Sequence, residues 1–182
     1  MRGREIEFDV QPRKNTKPIC SGCGRKRPGY DCQVARRFEF VPLWAIPVFL
    51  VYAMRRVNCP QCGVVVERVP WASGKNQQTN SYRMFLATWA KRMSWQEVAT
   101  VFGTSWDSVF RAVRWVVEWG IAHQDLTNIT SIGIDEIQYR RGHKYLTLVY
   151  QLDEGAKRLL YVARDRTEAS LNGFFNVLSE PT

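Results

Sequence analysis

Two cysteine pairs carry the most legible chemistry in this 182-residue chain: Cys20-Ser-Gly-Cys23-Gly and Cys59-Pro-Gln-Cys62-Gly. Each sets two thiols on a tight turn, and the glycine that follows lets backbone amides point at sulfur. Four such thiols suit a structural zinc ion, bound tetrahedrally with no position left for water. The 35 residues between the pairs (24–58) exceed the roughly 15–20 of compact two-pair sites, so a zinc ribbon with an inserted hairpin is expected. Four buried free thiols, or two redox pairs, are the competing readings. The repeat of the Cys-x-x-Cys-Gly form speaks against both. Cys32 is expected to be a buried thiol rather than a ligand, and His123 and His143 have no partner at ligand spacing.

A second chemistry is electrostatic. The chain has 26 Lys/Arg against 17 Asp/Glu, a formal net charge of +9. The whole excess lies in residues 1–128, with 19 basic and 10 acidic residues; residues 129–182 hold 7 of each. A segregated positive charge points to a polyanion, here double-stranded DNA, rather than a small-molecule substrate. The N-terminus is charged throughout, unlike a signal peptide. The longest apolar run, Val41–Met54, contains Pro42 and Pro47 and is too short to span a bilayer as a helix. A cytoplasmic, nucleoid-associated protein without a membrane partner is expected, and there paired cysteines favour metal over disulfides.

The elements that would present this charge are helical. Tyr82, Phe85, Leu86 and Trp89 fall at helical spacing within Thr79–Met93. Ser94 with Glu97 three residues on forms a capping-box pattern, and Gly103 is placed to end that helix. A third helix, Ser105–Trp119, repeats Trp106, Val109, Phe110, Val113, Val116 and Val117 as one buried stripe. The lengths predict a trihelical helix-turn-helix, with the N-terminal half of its last helix in the major groove. Ser105, Ser108, Arg111 and Arg114 are then the outward candidates for DNA contact, and Arg83, Lys91 and Arg92 the candidates for holding the phosphate backbone. A helical hairpin that binds nothing is the plainer alternative. Trp115 and Trp119 are assigned to the core or to a dimer contact, which leaves a homo-oligomer open.

Before the helices, Ala35–Phe40 and Val48–Val57 read as short strands. After Asp125 the period changes. Ile132–Ile137, Lys144–Leu152 and Arg158–Ala163 read as a β-meander, with turns at Arg140–His143 and Asp153–Gly155. Thr167 should cap a helix to Leu178 whose Leu171, Phe174, Phe175 and Leu178 share a face. Asp135 and Glu136 sit in the first of these strands. A carboxylate there is either a Mg²⁺ ligand of an RNase H-type site or a solvated strand-end residue.

Taken together, Cys20–Gly24, Cys59–Gly63, Ser94–Arg111 (SWQEVATVFGTSWDSVFR) and Ile132–Phe175 (beginning IGIDEIQYRRGHKYLTLVYQLDEG) resemble insertion-sequence transposases of the ISL3 type over about residues 20–178. The resemblance implies a zinc-binding domain, a helix-turn-helix that recognises terminal inverted repeats, and an RNase H-like DDE domain that uses Mg²⁺. It maps the first acidic residue of the catalytic triad onto Asp135. Asp153, Asp165, Glu168 and Glu180 do not match the other two, so a C-terminally truncated chain, inactive alone, is expected. The fold class is accordingly an α+β multi-module chain: a basic leader (1–19), a zinc-ribbon-like module (20–69), a linker (70–80), a trihelical helix-turn-helix domain (81–124) and an incomplete RNase H-like β-meander plus helix (129–182). A zinc-containing helix-turn-helix transcriptional regulator is the alternative, and a small RNase H-like nuclease a third.

Overall fold

A computed structural model describes residues 4–74 and 76–179. The chain forms two compact units, one up to Ala122 and one from His123 onward. Glu180, one of the carboxylates considered above, lies outside the described residues.

The first unit contains two small sheets and three helices. β1 (Ile6–Asp9) pairs in parallel with β4 (Ile46–Tyr52), which pairs antiparallel with β3 (Arg36–Leu43). The residues expected to be a loose leader therefore contribute a strand. Its Ile6-Glu7-Phe8-Asp9 alternation supplies an edge for Val48–Val51, and Arg37 ties it down through ion pairs to Glu5 and Glu7 at 2.9 and 2.8 Å. The β3–β4 hairpin turns through Trp44 and Ala45, both at positive φ, and leaves the Trp44 side chain almost wholly exposed.

β2 (Gly29–Cys32), β5 (Arg55–Cys59) and β6 (Gly63–Val66) form the second sheet, in the order β2-β5-β6. The single strand expected over Val48–Val57 is thus two strands, broken at Ala53 and Met54. Met54 turns inward there, beside Phe38, Tyr52, Val69 and Ala72. The residues expected as a linker are engaged with this sheet system: Ala72 is part of that core, Trp71 packs against it, and Glu39 exchanges backbone hydrogen bonds with Gln77 and Thr79.

The helices are α1 (Asn80–Trp89), α2 (Trp95–Val101) and α3 (Trp106–Ala122). Thr79 caps α1 by accepting from Tyr82 N. Ser94 Oγ accepts from Glu97 N at 3.3 Å while Glu97 Oε2 accepts from Ser94 N at 2.8 Å, a complete capping box. Gly103 takes φ +63 where α2 must stop. Tyr82, Leu86, Val98, Ala99, Val109 and Ala112 close one core between the three helices. The expected α3 stripe is only half buried. Val109 is fully enclosed against α1 and α2, whereas Trp106 at the start of α3 and Val117 further along it are exposed. Trp106 instead stacks on Phe110, 5.6 Å away, at the surface.

The second unit is a meander, β7 (Ile132–Arg140), β8 (Lys144–Gln151) and β9 (Arg158–Arg164), with α4 (Glu168–Ser179) on one face. Gly142 (φ +84) and His143 (φ +55) make the first turn and Gly155 (φ +76) the second. Thr167 Oγ accepts from Ser170 N at the start of α4. Leu171, Phe174 and Leu178 face Val149 and Leu160, while Phe175 is exposed rather than on the face expected for it.

Candidate functional site

The four cysteine sulfurs lie within 4.8 Å of one another, and among the described residues they are the group that could hold a metal. Each pair arrives on a hairpin. An Ile19–Lys26 bridge closes the first, and the Cys59–Gly63 pairing of β5 with β6 closes the second. Gly24 (φ +69) and Gly63 (φ +73) both adopt the left-handed backbone, and Gly24 N donates back to Cys20 O at 2.9 Å. Cys20 and Cys59 are buried, whereas Cys23 and Cys62 are half-buried.

The spacing fits zinc. Four ligands about 2.3 Å from a tetrahedral ion sit about 3.8 Å apart, and Cys23 Sγ lies 3.7 Å from Cys59 Sγ. A bound cation would also suit the electrostatics of the thiols. Burial raises Cys59, but N–H groups of Gln61 and Cys62 together with hydrogen bonds from Cys23 and Cys20 outweigh it and bring the thiol down to about 6. A hydrogen bond from the Arg25 backbone lowers Cys23. Burial and the neighbouring Cys20 and Cys59 then push Cys62 up to about 12. One charge formed in the cluster thus opposes the next, and a divalent ion removes that conflict. All four positions are protein sulfurs, so the site would hold structure together rather than activate water.

Sequence reasoning missed two supports of this centre. Gly22 has no room for a side chain: a Cβ there would lie 2.8 Å from Cys62 Sγ. Glu67, beside Cys20 through a β-bridge and 5% exposed, accepts from Tyr52 Oη (2.7 Å), Arg55 N (2.9 Å), Arg55 Nε (2.9 Å) and Arg55 Nη2 (2.7 Å). Burial alone would raise the Glu67 carboxyl, but these donors hold it below the usual carboxylate range. Tyr52 is pushed up to about 12 by burial and by Glu67. Cys32 corrects the expectation made for it. It stands outside the sulfur cluster, as expected, but is exposed, because all of β2 is.

The expected DNA-contacting residues divide. Ser105 caps α3, its Oγ accepting from Ser108 N at 3.1 Å and donating to Ser108 Oγ. Arg111 and Arg114 are exposed on α3 and ion-paired within it, to Asp107 at 3.0 Å and Glu118 at 2.7 Å. Lys91 and Arg92 are exposed between α1 and α2. Arg83 does not stand with them on the surface. It is 7% exposed, with its guanidinium 4.1 Å from the Trp115 ring centroid and Nη1 donating to Ser73 Oγ at 3.2 Å. Trp115 is accordingly half-buried, whereas Trp119 is exposed.

In the second unit Asp135 is exposed and its Oδ1 accepts from Glu136 N at 2.8 Å. Asp135 pairs with Leu148 and Ile134 with Val149. Residues paired across strands share a face, so Asp135 lies on the face away from α4, with Leu148 and Val162. It belongs to no cluster of three or more candidate ligands among the described residues.

Residues 132–182 match the family model described as "Transposase", of the DDE type named for ISL3. The chain is 33% identical over 180 residues to the transposase for insertion sequence element IS1557 of Mycobacterium tuberculosis, covering 97% of this chain and 40% of that protein. It is 24% identical over 177 residues to the transposase for insertion sequence element IS1001 of Bordetella parapertussis, covering 97% of this chain and 43% of that protein. The chain thus spans well under half the length of these curated relatives. No solved structure matches it, and no described helix is long and apolar enough to cross a membrane.

Proposed function

We propose that this chain, which matches the ISL3-named transposase family model over residues 132–182 and an insertion-sequence transposase along 97% of its length, is the DNA-recognising portion of such an enzyme. The observation that carries this reading is α3: Val109 and Ala112 are buried against α1 and α2, while Arg111 and Arg114 stand on its open side. In this reading α2, the Gly103 turn and α3 act as a helix-turn-helix, with the N-terminal half of α3 in the major groove. The two arginines then exchange exposed pairs worth about 0.3–0.5 kcal/mol each for DNA contacts, Arg114 to a base edge, worth about 1–3 kcal/mol, and Arg111 to the backbone. Ser105 and Ser108 lie at the groove-facing end of α3, and Lys91 and Arg92 meet phosphates. The partner is double-stranded DNA carrying terminal inverted repeats, and the protein works at the nucleoid.

The cysteines hold one structural zinc ion in a zinc-ribbon-like module. Asp135 is the first acidic residue of a DDE set on an RNase H-like meander. Mg²⁺ bound by a complete set would assist attack and departure at the scissile phosphate. Asp135 joins no group of three or more candidate ligands among the described residues, and in this reading the 182-residue chain performs no strand transfer alone. A stand-alone transcriptional regulator is not favoured, because the transposase match runs through the Asp135 strand.

Selection of bound sequences from a random duplex pool tests the recognition reading. One enriched site, lost in an Arg111→Ala/Arg114→Ala double variant that still folds, is the expected result. A pool that stays random after selection would overturn it.

A further inference from the structure

Arg83 and Gln78 are 7% and 8% exposed, and each keeps a nitrogen unbonded: Arg83 Nε, and Gln78 Nε2, which lies near the Glu39 carboxyl without a hydrogen bond of ordinary geometry. Among the described residues Arg83 enters no ion pair. A guanidinium keeps its proton even when buried; burial weighs against the Arg83 charge and the Glu118 carboxylate, beyond ion-pair distance, offsets only part of it, so an anion in direct contact would be favoured. Both side chains line one open polar cleft of about 600 Å³, together with Ser73, Ser108, Arg111 and Glu39. Two guanidinium groups, two hydroxyls and an amide around one space match the oxygens of a phosphate.

We infer that this cleft binds a phosphate group, supplied in the working complex by the backbone of duplex DNA lying along α3. The inference rests on the proposed docking of α3 and adds a contact that helix alone does not make: the loop before α1 and the buried Arg83 grip the strand while Arg111 turns from Asp107 toward it. Glu39 is the acidic side chain among the lining residues. Burial raises its carboxyl above the usual range, which lessens its charge against an anion.

Duplex binding by the full chain is measured against salt concentration for the parent protein and for R83K, R111Q and E39Q. In parallel, inorganic phosphate is compared with chloride at equal ionic strength for its effect on the thermal midpoint. R83K keeps the charge but loses the planar fork, and E39Q guards against reading a folding defect as lost binding. The expected result is a salt slope reduced by about one in R111Q, weaker binding in R83K, tighter binding in E39Q, and a phosphate-specific rise in midpoint that R83K abolishes. Duplex binding that R83K, R111Q and E39Q all leave unchanged would overturn the phosphate site and leave the helix-turn-helix reading standing. A phosphate-specific rise without duplex binding would keep the phosphate chemistry, with a free anion as its source, and sink the DNA reading.

Discussion

At the residue scale, the four cysteines were legible because zinc chemistry constrains short spacings that a sequence displays directly. Gly22 was not, because its constraint comes from Cys62, which reaches it only after folding. The same holds for Glu67, whose partners Tyr52 and Arg55 lie on neighbouring strands. Two outcomes follow. The purified protein should carry one zinc per chain by metal analysis, and Gly22→Ala should release zinc to a chelator roughly 10-fold faster, the low end of what disturbing the surroundings of a metal site costs; unchanged release would remove Gly22 from the account. Glu67→Gln should destabilise the first unit by about 3 kcal/mol, the cost of breaking a buried pair, read from denaturant unfolding. Because the folded Glu67 carboxyl lies below its ordinary value of 4.5, its contribution is fully present above that value and is lost as pH falls through the lower folded value. The Glu67→Gln protein should therefore lose less stability than the parent on acidification.

At the element scale, what could be read ahead was local. The capping box at Ser94, the stop at Gly103 and the meander turns each depend on a few adjacent residues, and all appear where the sequence places them. Elements whose form depends on distant partners were harder. β1 exists because β4 offers it an edge. Alternation cannot reveal the break at Ala53 and Met54, which comes from Met54 joining the core around Phe38. The α3 stripe overshot because periodicity says which residues share a face but not how far a neighbour covers it. Ser94→Ala should cost about 1 kcal/mol in thermal or denaturant unfolding, since it removes one bond of the capping box and loosens the other. A cost near zero would show that tertiary packing alone holds α2.

At the scale of the whole molecule, charge divides along the two units: the positive excess falls wholly within the one that carries the cysteine cluster and the three helices. Asp135 drew attention by its setting in a β-rich run and was given a role only by the family resemblance; the structure leaves it exposed and in no group of three or more candidate ligands among the described residues. The purified 182-residue protein with Mg²⁺ should accordingly leave a duplex carrying its target site intact on a denaturing gel. A discrete cleavage product that disappears in Asp135→Ala would mean the site is completed in a way the described residues do not show. The central claim, that this chain recognises the ends of an insertion sequence, is tested most directly by nuclease protection across the DNA flanking its own gene. Two protected windows, one on each side and related as inverted repeats, are predicted. Uniform cleavage across both flanks, with the protein folded and zinc-loaded, would contradict it.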